Sequence, residues 1–376
     1  MKIVIAIDSF KGSVSSEVAG TAFAEGVLRV NKGADIKIVQ LSDGGEGMLD
    51  ALSSALNVKR IKVSATDPVG RQIEAEAGSF NDTMIIESAQ VCGLSLIPED
   101  KRNPMYTDSG GLGALIKYGI SKGYKTIIIG LGGSGVNDAG IGMLREMGYR
   151  FYDKNGIMVG RGGKDAIKIE TIDTSEAMAV PSDCRIIIAS DVDNPLYGER
   201  GASKIYGPQK GADDEMVMKL DEGLRHYSDV VGNHLGYDYS RCAGSGAAGG
   251  IGFSILSFLR GIFQSGIETV LEIINFDEII DNADLVVTGE GYLDYQTLMG
   301  KAPYGVMLHA VKKGIPVIGI GGGLDNDAVN ELMRSGFTSI FPIVSSPMSL
   351  RDAMNPFQTI ENIKRTSEMI LRLLQL

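Results

Sequence analysis

The sequence predicts a two-domain α/β protein in which both chain ends build one parallel sheet. Short β-branched segments alternate with segments of helical periodicity near both termini, as in sheets whose parallel strands are joined by helices. Residues 60–90 instead alternate apolar and polar side chains between close turns, which is typical of antiparallel strands. With 376 residues, the chain is also longer than a single hydrophobic core usually supports.

The strand candidates are apolar runs bounded by turn residues. They lie at 2–7, 36–41, 126–130, 185–190, 284–288 and 316–320. After the first run, Ser15 or Ser16 is a candidate N-cap for a helix that extends to about Arg29. Apolar residues recur in that segment at helical spacing, which predicts one buried face.

The middle of the chain is expected to be an insertion. Residues 1–60 and 284–376 form one discontinuous parallel-sheet domain of the Rossmann or flavodoxin type in this prediction. Residues 61–283 form an inserted mixed α/β domain, and the ligand cleft is expected between the two domains.

Charge and composition narrow the range of partners. The net charge is −11, so the surface lacks the basic character on which non-specific binding to nucleic acid or anionic membranes depends. The three cysteines form no CxxC pair, and no apolar run resembles a signal peptide or a membrane span. We therefore expect a cytoplasmic protein, monomeric or homodimeric, that binds a small molecule and neither nucleic acid nor membranes.

Five apolar runs end in loops that combine glycine with a carboxylate or a lysine. These joints lie at 4–12, 39–47, 128–140, 188–195 and 286–291. Ligands of parallel sheets bind beyond the carboxyl ends of the strands, and glycine lets backbone N–H groups approach an oxyanion. The joints therefore predict an enzyme whose polar site is gathered from several strand ends, with phosphate as the first candidate ligand.

The segment Gly130–Gly135 matches the GxGxxG pattern of dinucleotide-binding loops and is expected to open a helix. A tight strand-to-helix turn would explain the same residues. Asn137 and Asp138 would place a carboxylate near a phosphate, which implies an intervening cation such as the Mg²⁺ of a nucleoside triphosphate. The loop therefore favours phosphoryl transfer over hydride transfer. Because Lys301 is followed by Ala302, a Walker A loop is excluded.

Asp191 is the candidate general base. It follows a strand, Asp193 comes two residues later, and a kinase that acts on an alcohol needs an acid to accept the hydroxyl proton. A turn-forming or capping role is the competing explanation for either acid. The three histidines all lie in helical patterns, so acid–base chemistry falls to carboxylates.

Two more loops contain candidate catalytic or binding residues. Residues 8–12 bring together an acid, a hydroxyl and an ammonium, and residues 43–47 bracket two glycines with two acids. The second arrangement suits a hard cation or a hydroxylated ligand. The competing explanations are a solvated lysine at Lys11 and a helix N-terminus favoured by Glu46.

Taken in order, nine segments of the chain resemble the type 1 glycerate kinase family of bacteria. They are residues 8–12, 43–47, 67–71, 137–138, 191–196, 208–212, 247–250, 289–291 and 296–297 with 300–303. The resemblance implies ATP-dependent phosphorylation of D-glycerate to 2-phosphoglycerate and a two-domain α/β fold. A kinase for a related hydroxy acid, or one that gives 3-phosphoglycerate, is the alternative within this class.

The corresponding hypothesis is in-line transfer from ATP with Mg²⁺ to a glycerate hydroxyl. The predicted catalytic residues are Asp191, Lys11 and Lys301. The predicted substrate contacts are Asp8, Ser9, Arg71, Asp193 and Lys210. The predicted nucleotide contacts are Gly132, Gly133, Ser134, Asn137, Gly289 and Gly291. The predicted Mg²⁺ ligands are Asp43, Glu46, Asp138 and Glu290.

Four positions depart from the family pattern: Ser42, Gly135, Val136 and Tyr292. Val136 stands where threonine is usual and Tyr292 where arginine is usual, so a hydroxyl and a bidentate anion ligand are missing. Two alternatives come from other classes. One is an NAD-dependent dehydrogenase built on Gly130–Gly135, with Asp153 reaching the ribose, and the other is a non-catalytic sensor of hydroxy acids.

Overall fold

The structure is a computed structural model that describes residues 1–42, 44 and 47–374. The predicted metal ligands Asp43 and Glu46 lie outside the described residues. The strands are β1 Lys2–Ile7, β2 Asp35–Ile38, β3 Lys59–Thr66, β4 Gln72–Phe80, β5 Thr83–Glu87, β6 Thr126–Gly130, β7 Arg150–Tyr152, β8 Thr171–Asp173, β9 Arg185–Ala189, β10 Ile262–Gln264, β11 Leu285–Leu293, β12 Val317–Leu324 and β13 Ser339–Pro342.

The helices are α1 Ser16–Val30, α2 Met48–Ala55, α3 Ala89–Cys92, α4 Gly110–Ser121, α5 Ile141–Glu146, α6 Ala202–Tyr206, α7 Asp214–Leu235, α8 Ala247–Leu259, α9 Gly266–Ile273, α10 Phe276–Ile279, α11 Tyr295–Leu298, α12 Ala302–Lys312, α13 Asn326–Ser335, α14 Leu350–Ala353 and α15 Pro356–Leu374. Short 3₁₀ helices lie at Leu94–Leu96, Glu99–Lys101, Gly163–Lys168 and Pro208–Lys210. Among the described residues, none of these helices is both long and apolar enough to cross a membrane.

The chain divides into two compact units. The terminal unit comprises residues 1–43, 50–57 and 265–376, and the central unit comprises residues 44–49 and 58–264. The second boundary between the units lies between residues 264 and 265, whereas the sequence predicts it at 284. The sequence gives no sign of the boundary at 264, because no glycine-rich or proline-rich linker lies between β10 and α9.

The sheet of the terminal unit is parallel and has the strand order β13-β12-β11-β1-β2. Residues 3–7 of β1 are all buried, as expected for a strand covered on both faces. From β1 the chain first moves to β2 on one side and later returns through β11 on the other side. The carboxyl ends of β1 and β11 therefore meet at a topological switch point, where such sheets bind ligands.

Helices α1 and α15 pack on this sheet and make a close contact with each other. Ser15 caps α1 by accepting a hydrogen bond from the Val18 amide, as the sequence predicts. A Cβ at Gly26 would lie 1.7 Å from Ser367 Oγ, so only glycine permits this approach of the two helices.

The central unit has a mixed sheet with the order β10-β9-β6-β5-β4-β3. Strands β3, β4 and β5 are antiparallel, which confirms the pattern predicted for residues 60–90. Strands β5, β6, β9 and β10 are parallel, and Gly130 at the end of β6 pairs with Ala189 at the end of β9. The predicted α/β fold class, with one parallel and one mixed sheet, is confirmed.

One local prediction is wrong. The glycine-rich segment Gly130–Gly135 does not open a helix directly, because α5 begins only at Ile141. The intervening residues instead pack against the start of α8, where Gly249 has a φ of +68°. A Cβ at Gly249 would lie 2.1 Å from the Val136 carbonyl oxygen, so the sequence 247–250 serves close packing.

Candidate functional site

The terminal unit contains a cavity of about 390 Å³ at the switch point of its sheet. Five of the predicted site residues line it: Ser9, Lys11, Glu290, Gly291 and Lys301. They come from the loop after β1, the end of β11 and the start of α12. Segments that are distant in sequence therefore bring an acid, a hydroxyl and two ammonium groups together in one cavity.

Asp8 is adjacent in the chain to Ser9, which lines this cavity. Its carboxylate is 5% exposed and accepts a hydrogen bond of 2.7 Å from the Ser9 amide. The contact fixes the turn by which the chain leaves β1. Asp8 is not among the described lining residues, so the geometry favours a role in shaping the loop.

Glu290 is the buried acid of the terminal cavity. One carboxylate oxygen accepts a hydrogen bond of 2.8 Å from Thr297 Oγ1, and the other lies 3.6 Å from Lys301 Nζ. Burial raises the pKa of Glu290, and the Lys301 ammonium and the Thr297 hydroxyl oppose that rise. Glu290 and Lys301 therefore form a coupled pair inside the site.

Sequence reasoning missed two members of this network, Asp294 and Thr297. Asp294 caps α11 by accepting hydrogen bonds from the amides of Gln296 and Thr297, and the Thr297 hydroxyl accepts one from the Asp294 amide. The Asp294 carboxylate also lies 3.9 Å from Lys301 Nζ. A capping pattern was the available signal, because an Asp is followed three residues later by a threonine.

Gly289 was predicted as a nucleotide contact, and its glycine identity has a packing explanation. A Cβ there would lie 2.2 Å from the Ile320 carbonyl oxygen on the neighbouring strand. Its own carbonyl accepts a hydrogen bond of 2.9 Å from the Asp8 amide. Gly291 differs, because a Cβ there would make only ordinary contacts and the residue lines the cavity.

The central unit contains a second cavity, of about 460 Å³, beside the carboxyl ends of β6 and β9. Gly132, Gly133 and Ser134, predicted as nucleotide contacts, line it together with Lys210. Lys210 was predicted as a substrate contact, whereas the structure places it with the glycine loop. Arg102, which sequence reasoning missed, is also a lining residue and had no motif to mark it.

Five predicted residues of the central unit do not line this cavity: Arg71, Asn137, Asp138, Asp191 and Asp193. Asp191 is exposed two residues after the end of β9, and the next residue, Val192, is a lining residue. Asp193 is paired with Arg200 at 2.9 Å. Arg71 Nε contacts Asp67 at 2.5 Å, and its Nη2 donates to the Leu96 carbonyl at 2.7 Å.

Asp138 is completely buried and accepts four hydrogen bonds. The donors are Ser109 N at 2.9 Å, Ser109 Oγ at 2.8 Å, Gly142 N at 3.1 Å and Gly140 N at 3.2 Å. Burial raises the pKa of Asp138, with a further rise from Asp108, while the bonds from Ser109 lower it. This geometry favours a structural role over the predicted role in binding metal.

Asn137 is equally buried, and its side-chain amide donates to Ser203 Oγ at 3.0 Å. Its Oδ1 has no hydrogen-bond partner among the described residues. Those residues also contain no group of three or more His, Cys, Asp or Glu side chains suited to a metal ion. The Mg²⁺ ligands predicted from the sequence therefore stay a prediction.

Two of the departures from the family pattern, Val136 and Tyr292, have different settings. Val136 is buried, and its carbonyl oxygen accepts a hydrogen bond of 2.7 Å from Lys210. Tyr292 lines the terminal cavity with 51% of its surface exposed. A change at Tyr292 therefore reaches a ligand in that cavity directly.

His309 lies in α12, outside both sets of lining residues. Its ring nitrogens are 2.7 Å from Asp277 Oδ1 and 3.1 Å from Glu268 Oε2. It thereby connects α12 to α10 and α9, which is a structural contact.

Comparisons with known proteins identify the family of the chain. Residues 3–375 match the model of the glycerate kinase family. The chain is 40% identical over 372 residues to glycerate kinase from Bacillus subtilis (strain 168), covering 98% of this chain and 97% of that one. It is also 40% identical over 372 residues to glycerate 2-kinase from Escherichia coli (strain K12), with the same coverage.

A solved structure shows the same architecture. The crystal structure of a Salmonella typhimurium LT2 protein assigned as glycerate kinase 2 is 37% identical to this chain. The TM-score is 0.84, and the match covers 100% of this chain and 98% of that one. The chain therefore belongs to the glycerate kinase family.

Proposed function

We propose that this protein transfers the γ-phosphoryl group of ATP to the 2-hydroxyl of D-glycerate, giving 2-phosphoglycerate. Its family consists of phosphotransferases with an alcohol acceptor, and the relative from Escherichia coli is named glycerate 2-kinase. The observation that carries the proposal is the cavity at the switch point, where Lys11, Lys301 and Glu290 come together. A small hydroxy acid needs cations for its carboxylate and acceptors for its hydroxyls, and this cavity offers both.

The mechanism assigns one task to each group. Lys11 and Lys301 neutralise the carboxylate or the transferring phosphoryl group, and Ser9 orients the acid through its hydroxyl. Asp191, which the sequence predicts as the base, would accept the hydroxyl proton as the new oxygen–phosphorus bond forms and the bond to the leaving ADP breaks. Mg²⁺ bound to ATP would neutralise charge on its phosphates, and the residues that hold the ion stay a prediction of the sequence. The expected cleft between the two domains stays a prediction of the sequence.

The dehydrogenase alternative is wrong, because the family is one of kinases. Asp153, the proposed ribose ligand, closes a turn by accepting hydrogen bonds from the amides of Asn155 and Ile157. The sensor alternative is tested by ADP release, measured with and without D-glycerate. Release that requires glycerate supports the kinase, and release that glycerate does not change contradicts it.

Replacing Lys301 by methionine should raise the KM for D-glycerate about tenfold, because the acid loses a cation worth about 1.4 kcal/mol. The same change should shift the acidic limb of the pH–rate profile to higher pH, since Lys301 opposes the raised pKa of Glu290. Steady-state kinetics between pH 5 and 9 measure both effects. Lys312→Met, at the exposed other end of α12, is the matched control. An unchanged KM and profile in Lys301→Met would remove Lys301 from the site.

A kinase for a related hydroxy acid is the second candidate, and Tyr292 is the observation that favours it. A phenol lines the cavity where the family usually presents a guanidinium, which binds carboxylates bidentately. We expect Tyr292→Arg to lower the KM for D-glycerate about threefold to tenfold relative to bulkier hydroxy acids. Tyr295→Arg is the control, because Tyr295 is similarly exposed, at 50%, and is not a lining residue. Equal effects of both substitutions on all acids would show that Tyr292 does not select the substrate.

A further inference from the structure

We infer that the cavity of the central unit is a binding site for a phosphoryl oxyanion, held by the Lys210 ammonium and the backbone amides of Gly132, Gly133 and Ser134. The inference rests on the proposed function, because both the donor nucleotide and the phosphorylated product carry such a group. It gives Lys210 a different ligand from the hydroxy-acid contact expected from the sequence.

The glycine-rich loop at 130–135 contains backbone amides that donate no hydrogen bond to any described residue, although the loop itself is held in place. Among the described residues, the amides of Gly132, Gly133 and Ser134 have no hydrogen-bond acceptor. The loop is nevertheless held on both sides, since the Gly133 carbonyl accepts from Leu94 N at 2.9 Å and Gly135 N donates to the Cys92 carbonyl at 2.7 Å. Gly133 has a φ of +68°, in the left-handed region that favours glycine. Successive free amides in such a turn form a concave site for an anion.

Lys210 supplies the charge. It is 2% exposed, yet it lines the cavity. Its Nζ donates to Ser134 Oγ at 3.1 Å and to the Val136 carbonyl at 2.7 Å. An ammonium has three N–H groups, so one remains for a ligand among the described residues. A buried ammonium is costly unless an anion accompanies it, and a bound oxyanion would provide that partner.

The charged neighbours of Lys210 do not fully compensate its burial. Asp138 in the loop after β6 favours the charged form, whereas burial outweighs it and lowers the pKa of Lys210 from 10.5 to about 8. Arg102, also a lining residue, adds a second positive charge that lies 3.7 Å from Glu99. Lys210 is therefore mostly charged at pH 7 and mostly neutral at pH 9. Oxyanion binding needs the charged form, so affinity should fall as the pH rises through about 8.

Sulfate is the suitable probe, because it remains a dianion across this pH range. Isothermal titration of the intact protein with sulfate should give an affinity about tenfold weaker at pH 9 than at pH 7. Lys210→Met should abolish this pH dependence, and Lys210→Arg should retain sulfate binding without it, since arginine stays charged. Lys219→Met is the control, because Lys219 is exposed and paired with Glu215 on α7.

A purely structural Lys210 would move the melting temperature of these variants and leave the pH dependence of sulfate binding unchanged. Equal sulfate affinities at pH 7 in the native protein and in Lys210→Met would overturn the inference. Titrations with ADP and with 2-phosphoglycerate at pH 7.5 identify which of the two molecules places its phosphoryl group in this site. Weaker binding of ADP to Lys210→Met identifies the donor, weaker binding of 2-phosphoglycerate identifies the product, and an effect on neither overturns the site.

These titrations involve no turnover, so they separate the inference from the proposed function. Sulfate binding that depends on Lys210 in a protein without glycerate kinase activity would retain the site and reject the reaction. Normal turnover with sulfate binding independent of Lys210 would do the reverse.

Discussion

Replacing Asp191 by asparagine is expected to lower kcat by about 10²- to 10⁴-fold, which is the usual contribution of a general base. Asparagine keeps the shape of the side chain but cannot accept the hydroxyl proton. Asp191 is exposed at the end of β9, so the substitution should leave the fold and the melting temperature unchanged. The KM for ATP should also change little, because the lost interaction belongs to the transition state.

Steady-state kinetics of Asp191→Asn, with circular dichroism as a check on folding, measure this effect. Asp183→Asn is the matched control, because Asp183 is also exposed and precedes the same strand, where it pairs with Lys125 at 2.5 Å. Turnover of Asp191→Asn close to that of Asp183→Asn would exclude Asp191 as the base. Glu290 would then be the next acid to test.

Replacing Asp138 by alanine should lower the free energy of unfolding of the central unit by about 3–5 kcal/mol. Four hydrogen bonds would be lost, and the amides of Gly140 and Gly142 and the Ser109 hydroxyl would face a cavity in the core. Asp138→Asn should cost less, because its remaining oxygen still accepts some of these bonds.

Urea unfolding followed by circular dichroism measures the loss, with Asp229→Ala on the exposed face of α7 as the control. The experiment also separates the structural role of Asp138 from the metal-binding role predicted from sequence. A metal ligand would leave the unfolding free energy nearly unchanged in Asp138→Asn and raise the Mg²⁺ concentration needed for half-maximal activity. That second result would contradict the structural account.

The sequence predicts those parts of the fold that depend on local patterns. The cap at Ser15, the buried strand at 2–7 and the antiparallel run at 60–90 are each specified by neighbouring residues, and all three are present. The helix expected directly after Gly135 does not begin there, and the reason is non-local. Residues 136–139 are displaced into a loop by contacts with α8, which begins more than one hundred residues later in the chain.

The candidate site was predictable only in part, for the same physical reason. Glycine loops and charged residues at strand ends are visible in sequence, and Lys11, Glu290 and Lys301, which they mark as candidates, line one cavity. Pairing across the chain is not visible, so Lys210 could not be placed with Ser134, from which it is separated by 76 positions. Burial is equally hidden, and it is burial that turns Asp138 from a candidate metal ligand into a packed acceptor.

The central claim is the phosphorylation of D-glycerate on its 2-hydroxyl by ATP, and a ³¹P NMR time course tests it most directly. The purified protein is incubated with ATP, Mg²⁺ and D-glycerate, and the phosphomonoester region is followed as the ATP signals decay. We predict a growing signal at the position of authentic 2-phosphoglycerate, together with an equal amount of ADP. A signal at the position of 3-phosphoglycerate, or ATP that remains unchanged, would contradict the claim.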